Sequence, residues 1–277
     1  MLTSLDDLDA RPGSTTSLVR TIVGLYLREL GGWISSAHLV ALMNSLGTTP
    51  QVTRTAISRL KKKGILDQQS RKETPGFALT ATGEQILARG DRRIFEPRSM
   101  GSTDSWCLLS YSIPEAERER RHQLRKHLQG IGGGLITPGL WIFPDYLRAE
   151  VWEILRVLGL EDHATIIVSN LLEFTGTAQE TASAWWDLGA LAELHDAFLE
   201  QNQAVTTEGQ ASAEESFAAY VRAIDSWRTI PYVDPGLPDS FLPKDWPGHR
   251  SAELFLSIQA SHAVAAHSFA ASLNAVG

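Results

Sequence analysis

The stretch TTPQVTRTAISRLKKKGILDQQSRKETPGFALTATG, residues 48–83, decides how this chain is read. Thr49 suits a helix N-cap, and Pro50 suits the first helical position, where a missing N–H costs nothing. From there Val52, Ala56, Ile57 and Leu60 predict a helix that buries them and stops at Gly64. The outward side then carries Gln51, Thr53, Arg54, Thr55 and Ser58, while Arg59, Lys61, Lys62 and Lys63 crowd the last turn. ILDQQ and GFALT read as two strands joined by the turn-rich SRKETP, and ATGEQILARG reads as a further helix. A lysine run at a helix C-terminus complements the macrodipole and is commonly only a solvated face. Here it is followed by a second basic element, the hairpin with Arg71 and Lys72.

Upstream, Leu18, Ile22, Val23, Leu25, Tyr26 and Leu30 predict a helix that stops at Gly31-Gly32. Trp33-Ile34 is a short extended piece. Ser35 or Ser36 caps a second helix built on Leu39, Leu42, Met43 and Leu46, and Gly47 ends it. Three helices and a basic hairpin over residues 1–90 are the order of a winged helix-turn-helix. In such a module the third helix lies in the major groove and the hairpin approaches the neighbouring backbone. Gln51, Thr53, Arg54, Thr55 and Ser58 are therefore the base-reading candidates, since Gln suits adenine and Arg suits guanine by bidentate geometry. Arg59, Lys61, Lys62, Lys63, Arg71 and Lys72 become phosphate contacts that position without specifying.

The charge is unevenly spread along 277 residues of net charge −7. Residues 1–100 hold 14 Lys/Arg against 9 Asp/Glu, net +5, and the remainder holds 11 against 23, net −12. A basic module on an acidic body fits a nucleic-acid reader joined to a sensing or oligomerising part. No run approaches the roughly 20 apolar residues of a membrane span, and the N-terminus is acidic and polar, so a cytoplasmic protein without membrane contact is expected. Cys107 is the lone cysteine, which excludes an intrachain disulfide and a multi-cysteine metal site, and its apolar neighbours predict a buried thiol.

Residues 91–104, with Arg92, Arg93 and Arg98, have a linker's composition. Over 105–175 the chain reads as a strand (SWCLLSYSI), a helix, a strand pair (GGGLITPGLWIFP), a helix and a buried strand (ATIIVSNLLEF). The order βαββαβ is that of a ferredoxin-like sandwich. Residues 176–277 read as mostly helical, with Trp185, Leu188, Leu191, Leu194 and Phe198 on one helix, a polar loop over 202–213, a helix SFAAYVRAIDSWRTI, a proline-rich crossing and a last helix over about 250–273. The expected class is α+β: a winged helix-turn-helix, a ferredoxin-like middle domain and a helical C-terminal domain.

Three stretches in this order resemble the PaaX family of transcriptional regulators: TTPQVTRTAISRLKKKGIL, LLSYSIPEAERERRHQLRKHLQGIGGGLITPGLWIFP after a tryptophan, and WRTIPYVDPGLPDSFLPKDWPG. The most diagnostic piece is Trp227-Arg228 followed by Asp234-Pro235, Leu237-Pro238, Leu242-Pro243 and Trp246-Pro247-Gly248. The resemblance implies a homodimeric repressor of aromatic-acid catabolism that binds a double-stranded DNA operator and releases it on binding an acyl-CoA effector such as phenylacetyl-CoA. The middle domain also resembles the small nuclease of the CRISPR spacer-acquisition machinery, which holds a metal on an acidic residue at the end of its first strand. That position is Ser112 here, a poor ligand for a hard divalent cation, so a nuclease is the alternative reading and a disfavoured one. A further alternative is an interaction scaffold that keeps a winged helix without reading DNA.

For the effector, Arg118, Arg121 and Arg125 form one positive stripe at helical spacing that suits coenzyme A phosphates. The competing reading is a solvated face paired with Glu115, Glu117 or Glu119. Trp227, Arg228, Tyr232, Lys244 and Trp246 either staple the proline-rich crossing in place or line an acyl pocket. Trp141 reads as core. His262 and His267 are five apart, not the four that puts two ligands on one helix face, so no metal site is expected. With no nucleophile elbow, P-loop or dinucleotide fingerprint, neither a catalytic residue nor a cofactor is expected.

Overall fold

Serine hydroxyls set the first helix starts. Ser14 Oγ accepts from the Ser17 amide at 3.3 Å and opens α1 (Thr15–Tyr26), and Ser35 Oγ accepts from the His38 amide at 3.0 Å and opens α2 (Ser36–Ser45). Between them lies β1 (Trp33–Ser35). α3 (Pro50–Lys62), β2 (Leu66–Arg71), β3 (Thr74–Leu79) and α4 (Ala81–Phe95) complete the N-terminal part, whose three strands form an antiparallel sheet in the order β1-β3-β2. This computed structural model describes residues 11–205 and 211–273, so part of the loop expected over 202–213 lies outside the described residues.

Three boundaries differ from the sequence reading. α1 stops at Tyr26, and Leu30 sits in the turn that follows it. β2 and β3 are longer than expected and shrink the turn to Lys72 and Glu73, both left-handed with φ of 46° and 65°. A two-residue hairpin whose central residues both have φ > 0 matches the twist of its strands. α4 continues through the start of the expected linker to Phe95.

Next come β4 (Trp106–Tyr111), α5 (Arg118–Gly130), β5 (Gly134–Thr137), β6 (Leu140–Pro144), α6 (Arg148–Leu158) and β7 (Ala164–Ser169). They build an antiparallel sheet in the order β5-β6-β4-β7. The remainder is helical: α7 (Ala178–Trp185), α8 (Leu188–Asn202), α9 (Ala213–Trp227), the short α10 (Ile230–Val233) and α11 (Gly248–Ser272). The mixture of helices with two antiparallel sheets is the expected α+β class.

The chain divides into two units, each made of separated segments. One comprises Phe95–Asp196 and Ile230–His249, and the other residues 11–94, Ala197–Thr229 and the stretch from Arg250 onward. In the first unit the central strand β4 is covered on both faces. Cys107 and Leu109 join a core with Leu124, Leu128, Trp141, Phe143, Val151 and Leu155, while Trp106 joins a second with Ile142, Trp186, Leu191, Leu237, Phe241 and Trp246. The proline-rich crossing is thus part of this unit's interior. It is fastened by Met100 N donating to Gly236 O at 2.8 Å and by the Tyr146 hydroxyl donating to Pro235 O. β7 corrects the expectation of a buried strand: it lies at the sheet edge, with Ile167 52% and Val168 42% exposed.

In the second unit, α1 packs on α3 and on α9. The junction is polar. Asp225, 1% exposed on α9, accepts from Ser17 Oγ at 2.5 Å, Thr21 Oγ1 at 2.8 Å and Gly13 N at 2.6 Å, while Arg228 Nη2 donates to Ser17 Oγ at 2.7 Å. Beside it, Trp227 stacks on Phe255 with ring centroids 4.7 Å apart and donates to Ile94 O at 3.0 Å.

Two outcomes are expected. Asp225→Ala leaves buried donors without their acceptor and should lower stability by about 3 kcal/mol, read as a shift in the urea unfolding midpoint. Burial pushes the Cys107 thiol up to about 11, so the folded protein should resist Ellman's reagent at about pH 8 and release one thiol per chain only after unfolding.

Candidate nucleic-acid interface

α3 begins on Thr49, whose side chain makes no capping bond, with Pro50 in the first turn. Its inward residues are Thr53, Ala56, Ile57 and Leu60, spaced i, i+3, i+4, i+7. Ala56, Ile57 and Leu60 lie inward as the sequence reading expects, and only the first inward position differs. Val52, expected inside, is 47% exposed. Thr53, expected on the reading face, is fully buried, and its hydroxyl donates to Thr49 O at 3.0 Å, which satisfies it without a ligand. Thr53 is therefore withdrawn from the base-reading set.

Gln51, Arg54, Thr55 and Ser58 do face solvent. Arg54 makes no hydrogen bond or ion pair among the described residues. Thr55 Oγ1 donates to Gln51 O at 3.2 Å and keeps its lone pairs outward. Of the basic set, Arg59 reaches Thr16 Oγ1 at 3.3 Å, and Lys61 Nζ donates to Gln68 Oε1 at 2.8 Å, joining the end of α3 to β2. Lys62 is exposed, and Lys63 caps the helix C-terminus, donating its backbone N–H to Arg59 O. Arg71 and Lys72 stand exposed at the hairpin tip beside Glu73. A long polar face and a basic hairpin thus sit on one scaffold, an arrangement able to hold an anionic polymer.

The effector candidates are scattered. Arg121 is paired with Glu115 at 2.6 Å, as the solvated-face reading anticipated, leaving Arg118 and Arg125 exposed on α5. Arg120, which the sequence reading passed over, is the committed arginine of that helix: its Nε donates to Leu158 O at 3.0 Å, and it also pairs with Glu117. Trp227 and Arg228 belong to the interior of the second unit and are held by Ile94 and Asp225, so they are corrected from ligand contacts to packing residues. Tyr232, Lys244 and Trp246 belong to the first unit. Trp246 is buried, with His195 edge-on at 5.7 Å, Tyr232 is half-buried, and Lys244 is exposed.

His262 Nδ1 lies 3.3 Å from Ser216 Oγ and His267 Nδ1 lies 2.6 Å from Glu29 Oε2. Among the described residues no group of three or more His, Cys, Asp or Glu gathers as a metal cage. Ser112 follows the end of β4 and is exposed, with its amide donating to His163 O at 3.0 Å. Trp141 is fully buried, as core.

Comparison with known proteins gives three consecutive family matches. Residues 14–83 match "PaaX-like protein", residues 101–183 match "PaaX protein central Cas2-like domain", and residues 186–272 match "PaaX-like protein C-terminal domain". The transcriptional repressor PaaX of Escherichia coli (strain K12) is 26% identical over 270 residues, covering 95% of this chain and 84% of that protein. Among solved structures, the uncharacterized protein Rv0674 from Mycobacterium tuberculosis superposes with a TM-score of 0.55 at 19% identity, over 89% of this chain and 96% of that one, a likeness of fold alone.

Thr53→Ala should cost about 1–2 kcal/mol in thermal unfolding, because it opens the core side of α3, whereas Val52→Ala should stay within about 0.5 kcal/mol.

Proposed function

The chain belongs to the PaaX family, and from that premise we propose that it is a DNA-binding transcriptional repressor of an aromatic-acid catabolic operon, released from its operator by an acyl-CoA such as phenylacetyl-CoA. The N-terminal helices and hairpin are read as a winged helix-turn-helix, and the β4–β7 sheet with α5 and α6 as a ferredoxin-like middle domain. What carries the reading is the outer face of α3, where Gln51, Arg54, Thr55 and Ser58 stand exposed against a fully apolar or satisfied inner face. Arg54 supplies a planar five-donor fork that matches O6 and N7 of guanine, and Gln51 matches N6 and N7 of adenine. Arg59, Lys61, Lys62, Lys63, Arg71 and Lys72 hold the flanking phosphates.

A single reading helix offers too few base contacts for gene-level discrimination, so the repressor acts as a homodimer on two half-sites one helical turn or more apart. Release follows if the acyl-CoA binds more tightly to a conformer whose recognition helices no longer match that spacing. Arg118 and Arg125, exposed on one helix, are the favoured phosphate contacts for such a ligand. Nuclease chemistry in the middle domain is not favoured, since Ser112 stands where a carboxylate ligand would be needed.

Fluorescence anisotropy on a duplex selected from fragments of the source genome tests the reading, with phenylacetyl-CoA added and free phenylacetate as control. Specific binding relieved only by the thioester is the expected result. Arg54→Ala should lose about 1–3 kcal/mol on the selected duplex and relax its sequence preference. Lys62→Ala should weaken all duplexes alike and reduce the salt slope by about one. Identical behaviour of the two variants would overturn the division into reading and positioning residues, and unchanged binding by Arg54→Ala would favour the scaffold.

A further inference from the structure

The hairpin tip contains a device that phosphate neutralisation does not require. The Trp33 ring lies on the same face of the small sheet as Gln69, Arg71, Gly76 and Ala78, because Trp33 pairs with Ala78 in register, Gly76 with Gln69, and Arg71 with Thr74. The indole runs diagonally over Gly76, where a Cβ would collide with the ring and with the Ile34 carbonyl. Its Nε1 donates to Gln69 O at 2.9 Å, which fixes the ring's rotation. The Arg71 guanidinium sits over the ring, 5.3 Å from its centroid. Gly76, Gln69 and Trp33 thus form a shelf carrying one exposed arginine next to a tight two-residue turn.

A cation that meets only phosphate gains little from such a shelf, since contacts to a line of charges tolerate many geometries. An arginine that enters a groove gains much: stacking removes rotamer freedom before binding, and a guanidinium is more weakly hydrated than an ammonium. Narrow A·T minor grooves concentrate negative potential and attract inserted arginine, while the N2 amino group of guanine obstructs the floor of the groove. We infer that Arg71, held on the Trp33 ring, is a minor-groove specificity determinant that selects A·T flanks beside the site read by α3, with Trp33 as its positioning residue. This rests on the DNA-binding reading above and replaces the phosphate role given to Arg71.

The test uses the full chain and three versions of the selected duplex, with flanks of A·T, G·C or inosine·cytosine pairs. Inosine·cytosine keeps the major-groove edge of G·C close to intact and removes the minor-groove amino group. Wild type should bind the A·T and inosine·cytosine versions about two- to fivefold more tightly than the G·C version, in proportion to the worth of one exposed cation–π contact. Arg71→Lys and Trp33→Leu should each abolish that preference while keeping the salt slope, and Trp33→Phe should restore part of it. Arg71→Lys alters an exposed side chain only, so it carries the test even if Trp33→Leu proves unstable in thermal unfolding. Inosine·cytosine behaving like G·C, or Arg71→Lys keeping the full flank preference, would overturn the inference while leaving α3 as reader. Wild type without specific binding to any duplex would overturn both.

Discussion

The carboxylate of Asp225 is the constraint from which the second unit is built. A charge buried to this degree is tolerable only where donors surround it, and here they come from Gly13 ahead of α1, from Ser17 and Thr21 along it and from Arg228 at the C-cap of α9. Satisfying Asp225 therefore fixes the position of α1 against α9. α1 also packs on α3, together with α2 and β2, so the network holds one of the elements against which the inner face of α3 rests.

The first unit solves a different problem. Its central strand has apolar residues on both faces, so a second layer must cover the side that α5 and α6 do not. Trp186, Leu191 and the proline-rich crossing supply it. Prolines fix much of that segment's backbone before folding, and Gly236, with a φ of 65°, lets it pass against Arg98 and Ser99 where a side chain would not fit. Of the tryptophans read from the sequence as staples or pocket walls, Trp246 is buried in this layer, while Trp227 packs on Phe255 in the second unit.

Much of the fold was legible because capping and periodicity are local. Thr49-Pro50, Ser35, the glycine stops and the short apolar run of β4 each carry their own signal. The one-position error in α3 has a physical cause: valine and threonine have nearly the same shape, and hydrophobicity alone favours burying Val52. The Thr53 hydroxyl satisfied by Thr49 O reverses that preference, and the spacing 53, 56, 57, 60 was the clue available. β7 was read as buried because an apolar run reports composition and not strand order, and the order puts it at an edge. Arg228 and the Trp33 shelf were beyond reach, since each depends on a partner far along the chain or across a sheet.

The segmentation of the chain bears on how such a protein can diversify. A piece ending near Ile94 would carry the whole of α3 and the hairpin, yet it would leave Ser17 and Thr21 without the carboxylate they donate to and α1 without α9 to rest on. The N-terminal segment is therefore not a cassette that recombination can exchange at a single joint. A chain built this way can change the exposed outer face of α3 one residue at a time, with the buried half of the helix held by its neighbours.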